Sequence, residues 1–496
     1  MIQKNALVKI GVTSEEVEEC NIRFEEVEVD TIYKVAENVV RTGFEDIPFH
    51  IRELGKQFIL DTLGAAISGS SAPGCQEVID QLVKWGGRKE STIWVSGIKV
   101  PSVHAALANG TLVHARDFDD THDVASVHAN ASALPAAMAV AEAEGGVSGK
   151  ELITALILGV DLSCRLGLSL RFYKGWHITA IAGFFGATVA VAKILGLNVE
   201  KTVNAFGIAY SQTSGNMQTI LDGGLTKRMQ PAFAAKSAVL SGYLAASGVT
   251  GAQGVLDGRY GFFNLYDGYQ EAECQKDQIR STDSDFQYGP HQLTADLGKR
   301  YEIENLSMKP YPCCRANHGI IGATLSNVFK HDIQPEDIEE VEVTISPWVA
   351  NVVARPFRIE KNFLVDAQFC ASYNVAAAIL RRDVFLDSFT EKAIKDLKIK
   401  ALTEKVKLIV DPKIKHKVPI TVKIRVRSGQ VYSETVHTYK GMPEDPLTLK
   451  EVTEKFRKCA RFSLIPIDEA RVETIIEKVN KLEEMKDVKE LANLLA

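Results

Sequence analysis

From about Phe49 to Val255 the chain is dominated by long Ala, Leu, Ile and Gly segments with almost no strand-like alternation, and this stretch limits the fold more than any other feature. Runs such as LITALILGVDLSCRLGLSL, IAGFFGATVAVAKILG and AFAAKSAVLSGYLAAS are apolar on most faces. Helices of that kind have to be buried by other helices, and their small residues let the axes approach closely. Ser148 and Glu151 in S-G-K-E form a capping box that opens the first of these runs. The most apolar run, Ile178 to Ala192, ends at Lys193 and is too short for a membrane span, so it predicts a buried helix.

The texture changes after about Ser307, where KPYPCC places two prolines that interrupt regular structure. IEEVEVTIS, VKLIV, ITVKIRVR and VYSETVHTY alternate or favour β-branched residues, as half-buried strands do. GIIGATLSNVF and AQFCASYNVAAAILRR between them predict helices, which makes residues 307–440 an α+β unit. Past Gly441 helix returns, with a second capping box at Thr448 and Glu451 and strong helical spacing in ARVETIIEKVNKLEEM. A helical tail after such an insert packs most simply on the first body. The expected class is mainly α: a large all-helical domain from residues 1–306 and 441–496, with a smaller α+β domain at 307–440.

A chain of 496 residues with 46% hydrophobic and 24% charged residues has ample material for two to three domains. Its net charge of −6 and the lack of a Lys/Arg block exclude a nucleic-acid partner. Eight scattered cysteines without a C-x-x-C pair predict reduced thiols in a cytoplasmic protein and no structural zinc. The N-terminus lacks the apolar core of a secretory signal. No membrane association is expected.

Chemistry concentrates in His114 to His128, HARDFDDTHDVASVH, which holds four carboxylates and three imidazoles in fifteen positions, with Arg116 its only cation. Apolar sequence flanks it on both sides, and charged residues forced toward a core need partners or a job. Asp119, Asp120 and Asp123 satisfy D-D-x-x-D, a magnesium-diphosphate signature, but no second acidic motif accompanies them. GGVSGKE lacks the Ser or Thr that a phosphate loop needs after Lys150. Lys227 and Arg228 precede a predicted helix, and Lys309 is followed by Arg315 and His318; such cations would suit an anionic substrate. His177 opens a buried helix, where a hydrogen-bonded structural histidine or a neighbour to an anion is expected. Cys313 and Cys314 are expected to pack.

Together, LDTLGAAISGS, HARDFDDTH with a histidine shortly after it, GWHITAIAGFFGATVAVAKILGL, TKRMQPAFAAKSAVLSGYLAASGVTG, KPYPCCRANHG and KGMPEDPLTLKEVTEKF make the chain resemble the MmgE/PrpD family from about Val39 to Leu482. The resemblance implies a helical domain with an α+β lid and a homodimer. It also implies a cofactor-independent, metal-free enzyme acting on small di- or tricarboxylates. Carried over by motif, Asp117, Thr121, His128, His177, Lys227, Lys309 and His318 are the site residues. The segment DFDDTH followed by VHANAS departs from the D-x-N-D-T-W of dehydratases and the H-P-S-G of decarboxylases, so the reaction stays open.

Dehydration, decarboxylation and epimerisation all build charge on carbon beside a carboxylate. Lys227 and Lys309, with Arg315, are expected to bind substrate carboxylates and stabilise that charge. His128 is expected to be the general acid or base, oriented by Asp117, with Thr121 bonding the substrate. A lyase is the leading expectation, with elimination of water slightly ahead of decarboxylation; an epimerase of an amino- or imino-dicarboxylate, or a catalytically idle ligand-binding relative, are the alternatives.

Overall fold

The computed structural model describes residues 29–171, 174–267, 286–359 and 363–496. The N-terminal segment, Cys20 and Cys274 lie outside them; the other six cysteines are free thiols. The protein is mainly α. Its centre is built from α1 (Phe49–Gly69), α2 (Ser102–His114), α3 (Asn130–Glu144), α4 (Gly149–Ser169), α5 (Ile178–Ile194) and α6 (Gln230–Ala246).

These helices have almost no polar face because each is surrounded. All residues of α5 from Ile178 to Ala192 are buried, and α4 is buried along nearly its whole length. By length and composition α4 could cross a membrane, yet here it is entirely enclosed by protein. Ser148 accepts a hydrogen bond from the backbone of Glu151, whose carboxylate accepts one from the Ser148 N–H, so the capping box starts α4 as its sequence indicates. Close approach of α4 and α5 depends on glycine. A Cβ on Gly186 would lie 1.9 Å from Ser163 Oγ and 2.4 Å from the Gly159 carbonyl.

One apolar core runs through residues from Ile32 to Met308 and takes in Leu447 to Leu495. The returning segment contributes α9 (Leu449–Ala460), opened by the Thr448–Glu451 capping box, and α10 (Glu469–Asn480). A second core spans Cys313 to Val426. It contains β3 (Ile338–Ile345), β4 (Val406–Val410), β5 (Ile420–Val426) and β6 (Val431–Val436), in the order β4-β3-β5-β6. β3 pairs in parallel with β4 and antiparallel with β5, and β5 pairs antiparallel with β6. Ile420, Val422, Ile424 and Val426 alternate inward along β5. α7 (His318–His331) and α8 (Ala371–Arg381) share this core with the sheet, and Asn327 donates to the Val422 carbonyl at 2.9 Å.

A short strand within the acidic segment, β1 (Thr121–His122), pairs antiparallel with β2 (Leu306–Ser307), at the end of the first core where the chain leads toward the second. Buried Lys455 of α9 adds a tie, donating to the Phe118 carbonyl at 2.9 Å and pairing with Asp61 of α1 at 2.7 Å. The same helix therefore presses α1 and the acidic segment together.

Replacing Gly186 by Ala should lower the thermal midpoint by several degrees, because overpacking a helix crossing costs about 1–3 kcal/mol. Gly322→Ala in α7, where a Cβ meets nothing within 4 Å, should leave it unchanged or raise it slightly. Scanning fluorimetry of the two variants checks the contrast, and equal midpoints would contradict the packing described.

Candidate active site

The acidic segment leaves α2 at His114 and turns sharply, with Asp117 at φ 53, a left-handed conformation that Asp tolerates better than most residues. That turn directs the Asp117 carboxylate at two ammonium groups. Lys227, in a 3₁₀ turn before α6, donates to Oδ1 at 2.6 Å. Lys309, 1% exposed, lies 3.3 Å from Oδ2 and donates to the Asp117 carbonyl at 2.9 Å. Burial alone would push the pKa of Asp117 up, but the two lysines, then His128 and His114, hold it well below the usual carboxylate range.

Asp119 serves the imidazoles. Its Oδ2 accepts from His114 Nδ1 at 2.8 Å and lies 3.4 Å from His128 Nδ1. Because a carboxylate only accepts, the proton of neutral His114 sits on Nδ1 and Nε2 is left as a bare lone pair, buried with no partner. Burial pushes His114 down to about 4 against the opposing pull of Asp119. Its ring centre is 4.8 Å from that of His128 and 6.1 Å from that of His177. His177 caps α5, and its Nδ1 lies 3.0 Å from Gln230 Oε1. The carboxylate beside His128 is therefore Asp119, not the expected Asp117.

The remaining acids of the segment serve the fold. Asp120 accepts from the backbone N–H groups of Ala129 and Asn130 at 3.0 and 3.3 Å, holding the start of α3. Asp123 pairs with Arg315 at 3.2 Å and Lys417 at 3.0 Å and accepts from Ser307 at 2.7 Å. The D-D-x-x-D carboxylates thus diverge, each toward its own protein partners, and do not form the converging cage that a diphosphate-bound magnesium needs. His122 accepts from the Ala125 N–H and sits 3.2 Å from Glu302, whose own N–H is fixed by Asp161 of α4.

A narrow cleft, partly open to solvent, is lined by His114, Asp117, Lys227, Arg228 and the Thr219–Gly224 turn on one side. Val365, Gln368 and Phe369 of the second unit form the other wall. Of the expected site residues, Asp117 and Lys227 line this cleft. Lys309 is joined to it through Asp117, and His128 and His177 through the ring of His114. Thr121 is held in the β1–β2 pair. Arg315 and His318 stand apart: Arg315 bonds Asp123 and His318 Nδ1, and His318 is fully buried beside the Cys313 carbonyl. Burial pushes the thiol of Cys314 up to about 11 and that of Cys313 well above its ordinary value, in keeping with packing roles.

The segment-wide pattern pointed to His114 and Asp119 without singling them out, although D-x-D places alternate carboxylates where two groups can be served separately. Gln368 gave no sequence signal. It donates to the carbonyls of Arg116 at 2.9 Å and Pro312 at 2.8 Å, across 252 and 56 residues of chain. His114, Asp119 and His128 are a group that could hold a metal ion, their ligand atoms lying within 4.8 Å of one another. Zinc bonds of about 2.1 Å at tetrahedral angles require a spacing nearer 3.4 Å. Two of the separations, 2.8 Å from His114 and 3.4 Å from His128 to Asp119, already meet that spacing.

Residues 34–275 match the sequence model of the MmgE/PrpD N-terminal domain, and residues 311–482 that of the MmgE/PrpD C-terminal domain. The chain is 27% identical over 474 residues to a cis-aconitate decarboxylase-like protein of Aspergillus oryzae, covering 91% of this chain and 94% of that protein. Human cis-aconitate decarboxylase is 27% identical over 459 residues, covering 89% of each chain. The 2-methylcitrate dehydratase of Escherichia coli is 22% identical over 376 residues, covering 71% of this chain and 72% of its own.

The buried neutral state of His114 has a pH signature. Its folded value, about 4, lies below the ordinary histidine value of 6.5, so its contribution to stability is complete above pH 6.5 and is lost as the pH falls toward 4. Between pH 7 and 5 that loss amounts to about 2 kcal/mol. Wild type should therefore lose more stability over this interval than His114→Gln, measured by denaturant unfolding at both pH values; parallel losses would contradict the assignment.

Proposed function

Because the chain belongs to the MmgE/PrpD family, we propose that it is a lyase acting on a small di- or tricarboxylate in the cleft beside Asp117. The observation that carries this is the site's division of labour. One carboxylate pairs with two ammonium groups at the cleft, leaving a net positive charge, and a second carboxylate lies beside two imidazoles behind it. Between decarboxylation and dehydration, the relatives aligned over the greater share of both chains favour decarboxylation.

In that reaction the bond from carbon to the departing carboxyl breaks, carbon dioxide leaves, and its electron pair is delocalised toward a neighbouring carboxylate. Lys227, directed by Asp117, is placed to stabilise this charge, with Lys309 maintaining the local positive field from within. His128 then delivers a proton to the carbon and is reprotonated from solvent. Asp119 lies beside that imidazole, 3.4 Å from its Nδ1. Dehydration would use the same groups in another order: His128 removes a carbon-bound proton and the hydroxyl leaves as water. No step draws on a metal ion.

The test is proton NMR in deuterated water with a panel of citrate, methylcitrate, aconitate and iminosuccinate-type acids. An aconitate-type acid should lose one carboxyl and gain one deuterium, at a rate unaffected by a chelator. His128→Ala should lower kcat by about 10²-fold or more while circular dichroism stays unchanged. Alkene formation from a hydroxy acid without carbon dioxide would select dehydration. Deuterium uptake alone would replace the lyase by an epimerase, and turnover that vanishes with chelation and returns with metal would overturn the metal-free mechanism.

A further inference from the structure

Gln230, the first residue of α6, is buried, and both ends of its side-chain amide are committed. Oε1 accepts from the Asn216 N–H at 3.0 Å, and Nε2 donates to the Asn216 carbonyl at 2.9 Å. A backbone N–H can only donate and a carbonyl can only accept, so this pair fixes which way round the amide lies. The same Oε1 is 3.0 Å from His177 Nδ1. An amide oxygen facing a ring nitrogen requires the proton to be on that nitrogen.

Burial, then Lys227 in the turn before α6, His114 at the end of α2 and His128 ahead of α3, hold His177 well below its ordinary value of 6.5, so the ring is neutral near pH 7. With its single proton on Nδ1, its Nε2 is a bare lone pair, which has no hydrogen-bond partner among the described residues. His114 is held in the same tautomer by Asp119. The two acceptors differ in charge. A carboxylate favours an imidazolium, whereas the amide of Gln230 selects the tautomer and leaves the ring neutral.

Gln230 also closes a loop. Asn216 and Gln230 bracket the Thr219–Gly224 turn and Lys227, which line the cleft. A bridge between Trp176 and Asn216, and the bond from the His177 N–H to the Gly215 carbonyl at 3.3 Å, seat this loop against the start of α5. Gly215 has φ 137, and a Cβ there would stand 2.6 Å from Ala180 Cβ and 3.0 Å from Gln230 Oε1, so glycine is what lets the loop close on both.

We propose that Gln230 is a positioning residue: stapled to Asn216, its amide holds His177 with the proton on Nδ1 and leaves Nε2 as the acceptor of the ring. The proposal rests on the carboxylate-lyase reading only for its effect on turnover.

Nitrogen NMR of the full chain labelled in its histidine rings tests this, with the His177 signals identified by their loss in His177→Gln. In wild type Nδ1 should carry the proton and Nε2 should not. Gln230→Met removes the acceptor at similar volume. It should let the proton move to Nε2, in part or in full, and lower kcat by about tenfold or more while KM changes by less than about threefold. Gln230→Glu keeps an acceptor but adds a charge. It should preserve the Nδ1 proton, raise the pH at which His177 gains its second proton, and move the acid limb of the kcat/KM profile upward with it. An amide with a merely structural role would leave both the tautomer and the profile where they are. A proton on Nε2 in wild type, an unchanged tautomer in folded Gln230→Met, or a changed tautomer with unchanged kcat overturns the proposal. Where thermal unfolding shows that Gln230→Met does not fold, Gln230→Glu decides, and an unmoved titration of His177 is then the contrary result. If no acid is turned over, the spectra alone decide the proposal, and it is the lyase reading that fails.

Discussion

The ion triad of Asp117, Lys227 and Lys309 is the constraint on which the cleft depends. Removing a carboxylate and an ammonium group from water costs several kcal/mol per ion, and their attraction offsets that cost only when geometry is good and remaining donors are satisfied. Here the carboxylate receives one lysine on each oxygen, and Lys309 gains the Asp117 carbonyl as well. The three residues come from separate parts of the chain: the turn after α2, the turn before α6, and the stretch that leads into the second core. Pairing them brings the substrate-facing cation and the link between the two cores to one point.

Around that point, each acid of the segment has its own partner. Asp119 takes the imidazoles, Asp120 the start of α3, and Asp123 the cations Arg315 and Lys417. A cluster of carboxylates repels itself in a buried setting; dividing the partners eases the conflict at Asp117, Asp119 and Asp123, while burial and neighbouring Asp119 push Asp120 up to about 8. It also leaves functional consequences in different places. Changes at Asp123 act on the junction between the units, changes at Asp119 on the orientation and tautomer of the histidines, and changes at Asp117 on the charge of the cleft itself.

Helical content was legible in the sequence because α4, α5 and α6 are apolar all round, a pattern with no alternative to enclosure by other helices. Two capping boxes located helix starts because Ser148–Glu151 and Thr448–Glu451 act within one turn. The strands of the second core were legible for a similar reason, as alternation along Ile420–Val426 is local. What escaped was long-range. No spacing rule announces that Gln368 will meet the Arg116 carbonyl, that Lys455 will reach Phe118, or that His128 will neighbour Asp119 and not Asp117. The acidic segment revealed which residue types would carry chemistry, but the direction of each side chain depends on the left-handed turn at Asp117 and on partners over a hundred residues away.

A double-mutant cycle between Asp117 and Lys309, read in unfolding free energy at neutral pH, probes the triad most directly. Asp117→Asn should destabilise by about 3–5 kcal/mol, because it leaves buried Lys309 without its counterpart, and Lys309→Met by less, because Lys227 still pairs with Asp117. The double variant should be far less destabilised than their sum, giving a coupling of about 2 kcal/mol or more. Additive effects within about 0.5 kcal/mol would mean that the two groups do not stabilise one another, and the account of the cleft built on them would be wrong.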